Sequence, residues 1–160
     1  MNSISVNPIG IVRSTRERTE DDNWDAETAS VELDARQFSG EALASLSEFS
    51  HVEIIFYIHQ ADSSKIEKKA RHPRNNANWP KVGIFSQRGK NRPNQLGTTI
   101  CRILNVDGRV LHVEGLDAVN GSPVLDIKPW VAEFAPRGST SQPKWITELM
   151  QGYWGPADSR

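Results

Sequence analysis

The run SEFSHVEIIFYIHQ (47–60) decides the architecture of this chain. Val52, Ile54, Phe56 and Ile58 alternate with less apolar neighbours, the period of two that marks a strand with one buried face. This predicts a strand from His51 to His59. Working outward, Val6 to Ser14, Ala29 to Leu33, Val82 to Ser86, Thr98 to Val106 and Val110 to Gly115 also read as strands. The pair Asp107-Gly108 between the last two is a strong two-residue hairpin signal. Two short helices complete the set. One follows Ser39 as N-cap, with Ala42, Leu43 and Leu46 on one face; the other begins near Pro143 as an N1-type proline and stops at Gly152. Five or six strands with two short helices predict a mainly β fold, a small, partly open β-barrel. Without repeats, low-complexity tracts or linkers, residues 1–160 read as a single domain with a C-terminal helix near 143–152.

Composition narrows the function classes. Hydrophobic residues make up 37% and charged residues 24% of the chain, ordinary values for a soluble globular protein. No run approaches the ~18 apolar residues of a membrane helix. The opening MNSISVNPIGIVRS has neither a basic n-region nor an apolar h-region, so no export signal and cytoplasmic residence are expected. The single Cys101 excludes an internal disulfide framework and a multi-thiolate metal site. His51, His59, His72 and His112 share no ligand spacing, so no metal partner is expected. Ser122 reads as a turn residue rather than a nucleophile, and neither a GxGxxG after a strand nor a phosphate loop is present.

The loops are more informative. ARHPRNNANWPKVGIFSQRGKNRPNQLG (70–97) and LDAVNGSPVLDIKPW (116–130) are rich in Asn, Gly, Pro, Arg and Asp. Such loops interleaved with strands indicate a binding site carried on a β scaffold. Residues 61–92 hold nine Lys/Arg against Asp62 and Glu67, a charge of +7 in a chain whose total is −1. Sorted charge of this kind suggests an anionic partner on one face. Lys65, Lys68, Lys69, Arg71 and Arg74 would grip phosphates, or form a solvated loop face. Trp24 and Trp79, in polar loops, are candidates for stacking on a base. Trp130, Trp145 and Trp154 are expected in the core or at a dimer interface. By contrast, residues 17–34 carry eight acids and one Arg.

Within RGKNRPNQLGTT (88–99), Arg88 would close a strand and present its guanidinium to a carboxylate or phosphate. Arg92-Pro93-Asn94 fixes a stiff turn, and Gly97 lets the backbone approach something closely. A structural loop with a basic face is the competing reading. Asp117, Asn120 and Asp126 cluster about the Asn120-Gly121 turn, where carboxylates could accept hydrogen bonds from ribose hydroxyls or an amino group.

Taken together, these motifs resemble the TsaA-like, or TrmO-type, family of S-adenosylmethionine-dependent methyltransferases. The family's hallmarks are an opening IGxIxS strand, an FSHxxxxxxxHQ strand, an RxxxRPNxxG loop and a DxxDGTPVxDIKPY segment. Their counterparts here run from residue 7 to residue 130. The resemblance implies the TsaA-like/YaeB-like barrel in a short single-domain form, a homodimer, and S-adenosyl-L-methionine as cofactor near the subunit interface. It implies tRNA as partner, with N6-methylation of threonylcarbamoyladenosine next to the anticodon as the reaction. It places His59, Gln60, Arg88, Leu116, Asp117 and Asn120 at the cofactor. Arg92, Pro93, Asn94 and Gly97 fall on the RPNxxG signature, and Asp126 and Lys128 on the DIKP signature. The family's Pro-Arg-Gln motif after the first strand is replaced here by RTEDDNWDAE (18–27). The alternatives are methyl transfer to another small-molecule or RNA acceptor, and a non-catalytic RNA- or nucleotide-binding barrel.

Methyl transfer from a sulfonium is an in-line displacement that depends on positioning and on a nearby proton acceptor. His59 and the acids of 20–25 are the candidates for that acceptor. Apolar edge strands and the Trp-bearing C-terminal segment are expected to pair in a twofold dimer.

Overall fold

The computed structural model describes residues 2–25 and 27–155. Among the described residues eight strands form: β1 Gly10–Ser14, β2 Thr28–Leu33, β3 His51–Tyr57, β4 Ala70–Arg71, β5 Val82–Gly83, β6 Leu96–Asp107, β7 Val110–Glu114 and β8 Pro123–Pro129. Six of them close a barrel in the order β1-β2-β7-β6-β3-β8, while β4 and β5 pair separately. Each barrel pairing is antiparallel.

Alternation drives the closure. Val52, Ile54 and Phe56 of β3 point inward with Val31 of β2, Leu111 and Val113 of β7, and Val12 of β1, all buried. The mainly β barrel expected from sequence is present, but it is closed rather than partly open. The closing strand is β8, which pairs with β1 through Gly10↔Val124 and with β3 through Ile54↔Ile127. In sequence, Pro123, Asp126, Lys128 and Pro129 make this segment look like a loop. Its prolines sit at the two ends of the strand, where a missing N–H is tolerated.

Other expectations shift locally. The hairpin loop is Gly108-Arg109, because Asp107 still pairs with Val110. The first predicted helix is a 3-10 turn, Gly40–Leu43, whose Ser39 side chain does accept from the Glu41 amide. The second is the six-residue α1, Lys144–Leu149, with Pro143 at the N-cap. The predicted strand at Val82 lasts two residues before a 3-10 turn over Ile84–Ser86. A barrel closed in this way leaves its six strands without edges, so edge pairing gives no reason to dimerise. The outer face of β6 instead exposes Leu96, Ile100 and Leu104.

Candidate functional site

The loop joining β7 to β8 organises the site. Leu116, Ala118 and Val119 bury their side chains and fix the loop to the barrel, so Leu116 offers a ligand only its backbone. Gly115 and Gly121 turn the chain at positive φ. Asp117 and Asn120 are left half-buried between these anchors.

Two groups of side chains meet this loop. At one end, Thr99 Oγ1 donates to one oxygen of the Asp117 carboxylate and the Tyr153 hydroxyl donates to the other. Burial, then the Asp117 charge, pushes the Tyr153 hydroxyl above its ordinary pKa, with Arg88 and Arg74 acting against that shift. Tyr153 is therefore a protonated donor to Asp117. Arg88 Nη2 donates to the Thr98 carbonyl at 2.9 Å, and the side chain is otherwise exposed. Cys101 lies beneath; burial and then Asp117 raise its thiol pKa, so it is inert.

At the other end, Asn120 Nδ2 donates to Glu17 Oε1 at 3.0 Å, and Gln60 Nε2 donates to the Glu17 carbonyl at 2.8 Å. His59 is exposed, with Nδ1 3.3 Å from Ser122 Oγ. Thus Gln60 and Asn120 come together at Glu17, and His59 lies against Ser122 of the same loop. Asp117 is held by Thr99 and Tyr153, with the Arg88 charge acting on the Tyr153 hydroxyl. Glu17 brings the acidic segment to this loop, and Lys90 Nζ donates to Thr19 Oγ1 at 3.2 Å two residues on. The acidic segment consequently borders the site. Sequence reasoning does not single out Glu17 or Tyr153, because neither belongs to a patterned motif, and it passes over Thr99 at the end of the 88–99 segment.

Much of the remaining signature supports the scaffold. Pro93–Gln95 forms a 3-10 turn in which Asn94 and Gln95 have positive φ. Arg92 Nη1 donates to the Gln87 carbonyl at 3.0 Å. Gln95 bonds the carbonyls of Ile58 and Ala61 and the Tyr57 hydroxyl, holding the turn that carries His59 and Gln60. Lys128 Nζ donates to Asp126, a bond that raises the lysine pKa.

The basic segment is partly neutralised from within. Arg74 pairs with Asp22 at 2.8 Å and Asp21 at 3.8 Å, and Lys65 with Asp62 at 3.5 Å. Arg71 buries its Nε without a hydrogen-bond partner among the described residues. Lys68 and Lys69 are exposed, their backbone amides bonded to Glu67. Trp79 is half-buried and donates through its indole nitrogen to Glu148 Oε2 at 3.0 Å. Trp24, expected to be available for stacking, is instead only 3% exposed, with the Arg16 guanidinium 4.0 Å above its ring. Trp130, Trp145 and Trp154 are half-buried rather than in the core. Among the described residues no group of three His, Cys, Asp or Glu side chains could hold a metal ion, and no helix is long and apolar enough to cross a membrane.

Comparison with known proteins adds to this geometry. Residues 18–135 match the sequence profile of the tRNA-methyltransferase O N-terminal domain. A human tRNA (adenine(37)-N6)-methyltransferase is 40% identical over 93 residues, 58% of this chain and 21% of that protein. A Methanothermobacter thermautotrophicus protein named "Probable S-adenosyl-L-methionine-binding protein" is 34% identical over 129 residues, 79% of this chain and 90% of that one. The crystal structure of TrmO from Pseudomonas aeruginosa superposes with a TM-score of 0.72 at 28% identity, covering 91% of this chain and 62% of that one. The chain therefore spans about a fifth of the human relative and under two thirds of the solved bacterial protein.

Proposed function

We infer, because this chain belongs to the tRNA-methyltransferase O N-terminal domain family, that it is an S-adenosylmethionine-dependent methyltransferase of tRNA. The acceptor is N6 of adenine 37, carried as threonylcarbamoyladenosine next to the anticodon. The name of the human relative supports the position, and that of the archaeal relative supports the cofactor.

One observation carries the reading. The single loop Gly115–Ser122 presents a carboxylate, Asp117, gripped by Thr99 and by the Tyr153 hydroxyl on which the Arg88 charge acts. At its other end it presents a carboxamide, Asn120, that shares Glu17 with Gln60, with His59 against Ser122. A cation, an anion, two amides and an imidazole match the chemistry of S-adenosylmethionine, with its carboxylate, ammonium, ribose hydroxyls and adenine edge. When bound, the cofactor supplies a methyl group on a cationic sulfur.

The protein's share is positional. Arg88 would hold the methionine carboxylate, and Asp117 would accept from the ammonium or the ribose hydroxyls. Gln60 and Asn120 donate from their amides, so the donor is fixed at several points and held near attack distance. His59 would take the proton that the acceptor N6 loses as the methyl group passes to it. Lys65, Lys68, Lys69, Arg71 and Arg74 provide the phosphate-binding face, with Trp79 beside it. Twofold pairing through the outer face of β6 would cover Leu96, Ile100 and Leu104. A tRNA substrate implies cytoplasmic residence.

Calorimetric titration with S-adenosylmethionine tests the cofactor, and saturable micromolar binding is the expected result. Mass spectrometry of nucleosides from tRNA incubated with protein and cofactor tests the acceptor, and a methylated threonylcarbamoyladenosine is expected. Absent cofactor binding would favour a non-catalytic nucleotide-binding barrel. Binding without a modified nucleoside would point to another acceptor. Light scattering at micromolar concentration should give the mass of a dimer.

A further inference from the structure

Tyr153 lies outside the family-matched residues 18–135, yet its hydroxyl reaches the Asp117 carboxylate. The path that brings it there starts at Arg16. This guanidinium donates to the carbonyls of Asp22 at 2.9 Å and Asn23 at 2.8 Å, pairs with Glu27 at 3.0 Å and covers the Trp24 ring. The acidic segment is thereby fixed into a docking edge. Three successive amides on it, those of Asn23, Trp24 and Asp25, donate to the carbonyls of Gly152, Tyr153 and Trp154 at 3.1, 3.1 and 2.6 Å. The C-terminal segment is seated as a short strap, and the Trp154 ring meets the Tyr153 ring edge-on at 5.0 Å. Glu148 fastens the preceding helix through Trp79.

We propose that Tyr153 is a positioning residue of the cofactor site, holding the Asp117 carboxylate from the strap side while Thr99 holds it from the barrel side. This rests on the assignment of Asp117 to the cofactor made above. A loop carboxylate free to rotate would lose several orientations on binding, whereas one gripped through both oxygens is already oriented and keeps further lone pairs for a ligand. Arg74, whose charge acts with that of Arg88 on the same hydroxyl, is itself tied to the acidic segment through Asp22 at 2.8 Å. On this view the acidic segment that replaces the family's motif after the first strand docks the strap that delivers Tyr153.

The test is titration of the full chain with S-adenosylmethionine for the wild type, Tyr153→Phe, Asp117→Asn and the double variant. Tyr153→Phe keeps the ring and its contact with Trp154 and removes only the donor; an unchanged melting temperature verifies the fold. A roughly five- to tenfold rise in Kd is expected for Tyr153→Phe, the scale of one ordinary hydrogen bond lost from an indirect, positioning contact. In the Asp117→Asn background the same substitution should cause no further change, a non-additivity that a purely structural tyrosine would not produce. An unchanged Kd with intact wild-type binding would overturn the positioning role alone. So would a lower Kd, which would make Tyr153 a plug, or full additivity with Asp117→Asn. Failure of the wild type to bind would overturn the cofactor reading together with this inference.

Discussion

Gly97 stands directly across from Phe56 in the β3–β6 ladder, and the Phe56 ring occupies the space its side chain would fill. A Cβ built on Gly97 would lie 2.4 Å from Phe56 Cζ. The glycine of the RPNxxG signature thus serves a close approach within the chain rather than to a ligand. Gly97→Ala should cost about 1–3 kcal/mol, the scale of overpacking a fitted core. Chemical denaturation measures it, and a second substitution, Phe56→Leu, should recover part of the loss. A stability change below ~0.5 kcal/mol would show that the ring moves aside without cost.

That relationship shows where sequence reasoning succeeds and where it stops. The alternation of Val52, Ile54 and Phe56 is periodic, so the strand, its buried face and the β class follow from it. Strand β8 is not legible, because its pattern is broken by Pro123, Asp126 and Lys128 and its stability comes from neighbours on both sides. Barrel closure goes with it. In the proposed site, the motif-borne residues Gln60, Arg88, Asp117 and Asn120 are the ones that sequence motifs nominate. Tyr153 and Glu17 cannot, since each acts through a contact spanning many residues and carries no local pattern. Trp24 misleads because its polar neighbours hide the fact that Arg16 seals it from above.

Gln95 holds the turn that bears His59 and Gln60. Its Nε2 donates to the carbonyls of Ile58 and Ala61 at 3.2 and 3.1 Å, and its Oε1 accepts from the Tyr57 hydroxyl at 3.0 Å. Gln95→Ala should destabilise the protein by about 1–3 kcal/mol, because these partners lose their bonds. Gln95→Glu keeps the acceptor for Tyr57 but removes both donors, so it should also destabilise. Thermal melts of the two variants decide the matter, and wild-type stability in both would refute the role.

Acid should weaken the fold in part through Asp34. The Arg36 side chain first, then Gln37 and the Arg36 amide, hold this carboxyl well below the usual carboxylate range. Hydrogen bonds from Ser64 act in the same direction on Asp62, and those from the Lys69 and Lys68 amides on Glu67. A depressed native pKa contributes stability that is present above the unfolded value, roughly 4, and is lost as pH falls toward the native one. The melting temperature should therefore decline below about pH 4, and Asp34→Asn should flatten that decline. A parallel slope in the variant would remove Asp34 from the account.

Arg88 has one fixed bond, to the Thr98 carbonyl at 2.9 Å, and the rest of its guanidinium is exposed beside the site. As the cation assigned to the methionine carboxylate, it should contribute about 1.5–3 kcal/mol to cofactor binding, the scale of a charged hydrogen bond. Calorimetry on Arg88→Ala should show the weaker Kd with little change in melting temperature. An unchanged Kd in a folded variant would exclude the assignment.

Binding of tRNA should depend on which cations the chain leaves unpaired. Lys68 and Lys69 are exposed, whereas Arg74 is held by Asp21 and Asp22. Each phosphate neutralised by a free cation releases counterions, so affinity falls with salt in proportion to the number of such contacts. Replacing Lys65, Lys68 and Lys69 with Ala should lower tRNA affinity and flatten the salt slope while leaving S-adenosylmethionine binding intact. Asp21→Asn with Asp22→Asn should do the opposite. Freeing Arg74 adds one phosphate contact and removes two repelling carboxylates, so affinity should rise and the slope steepen by about one unit. Fluorescence anisotropy across a salt series reads both effects. A slope unmoved by either set would place the tRNA on another face of the barrel and leave the basic segment as a solvated loop braced by its own acids.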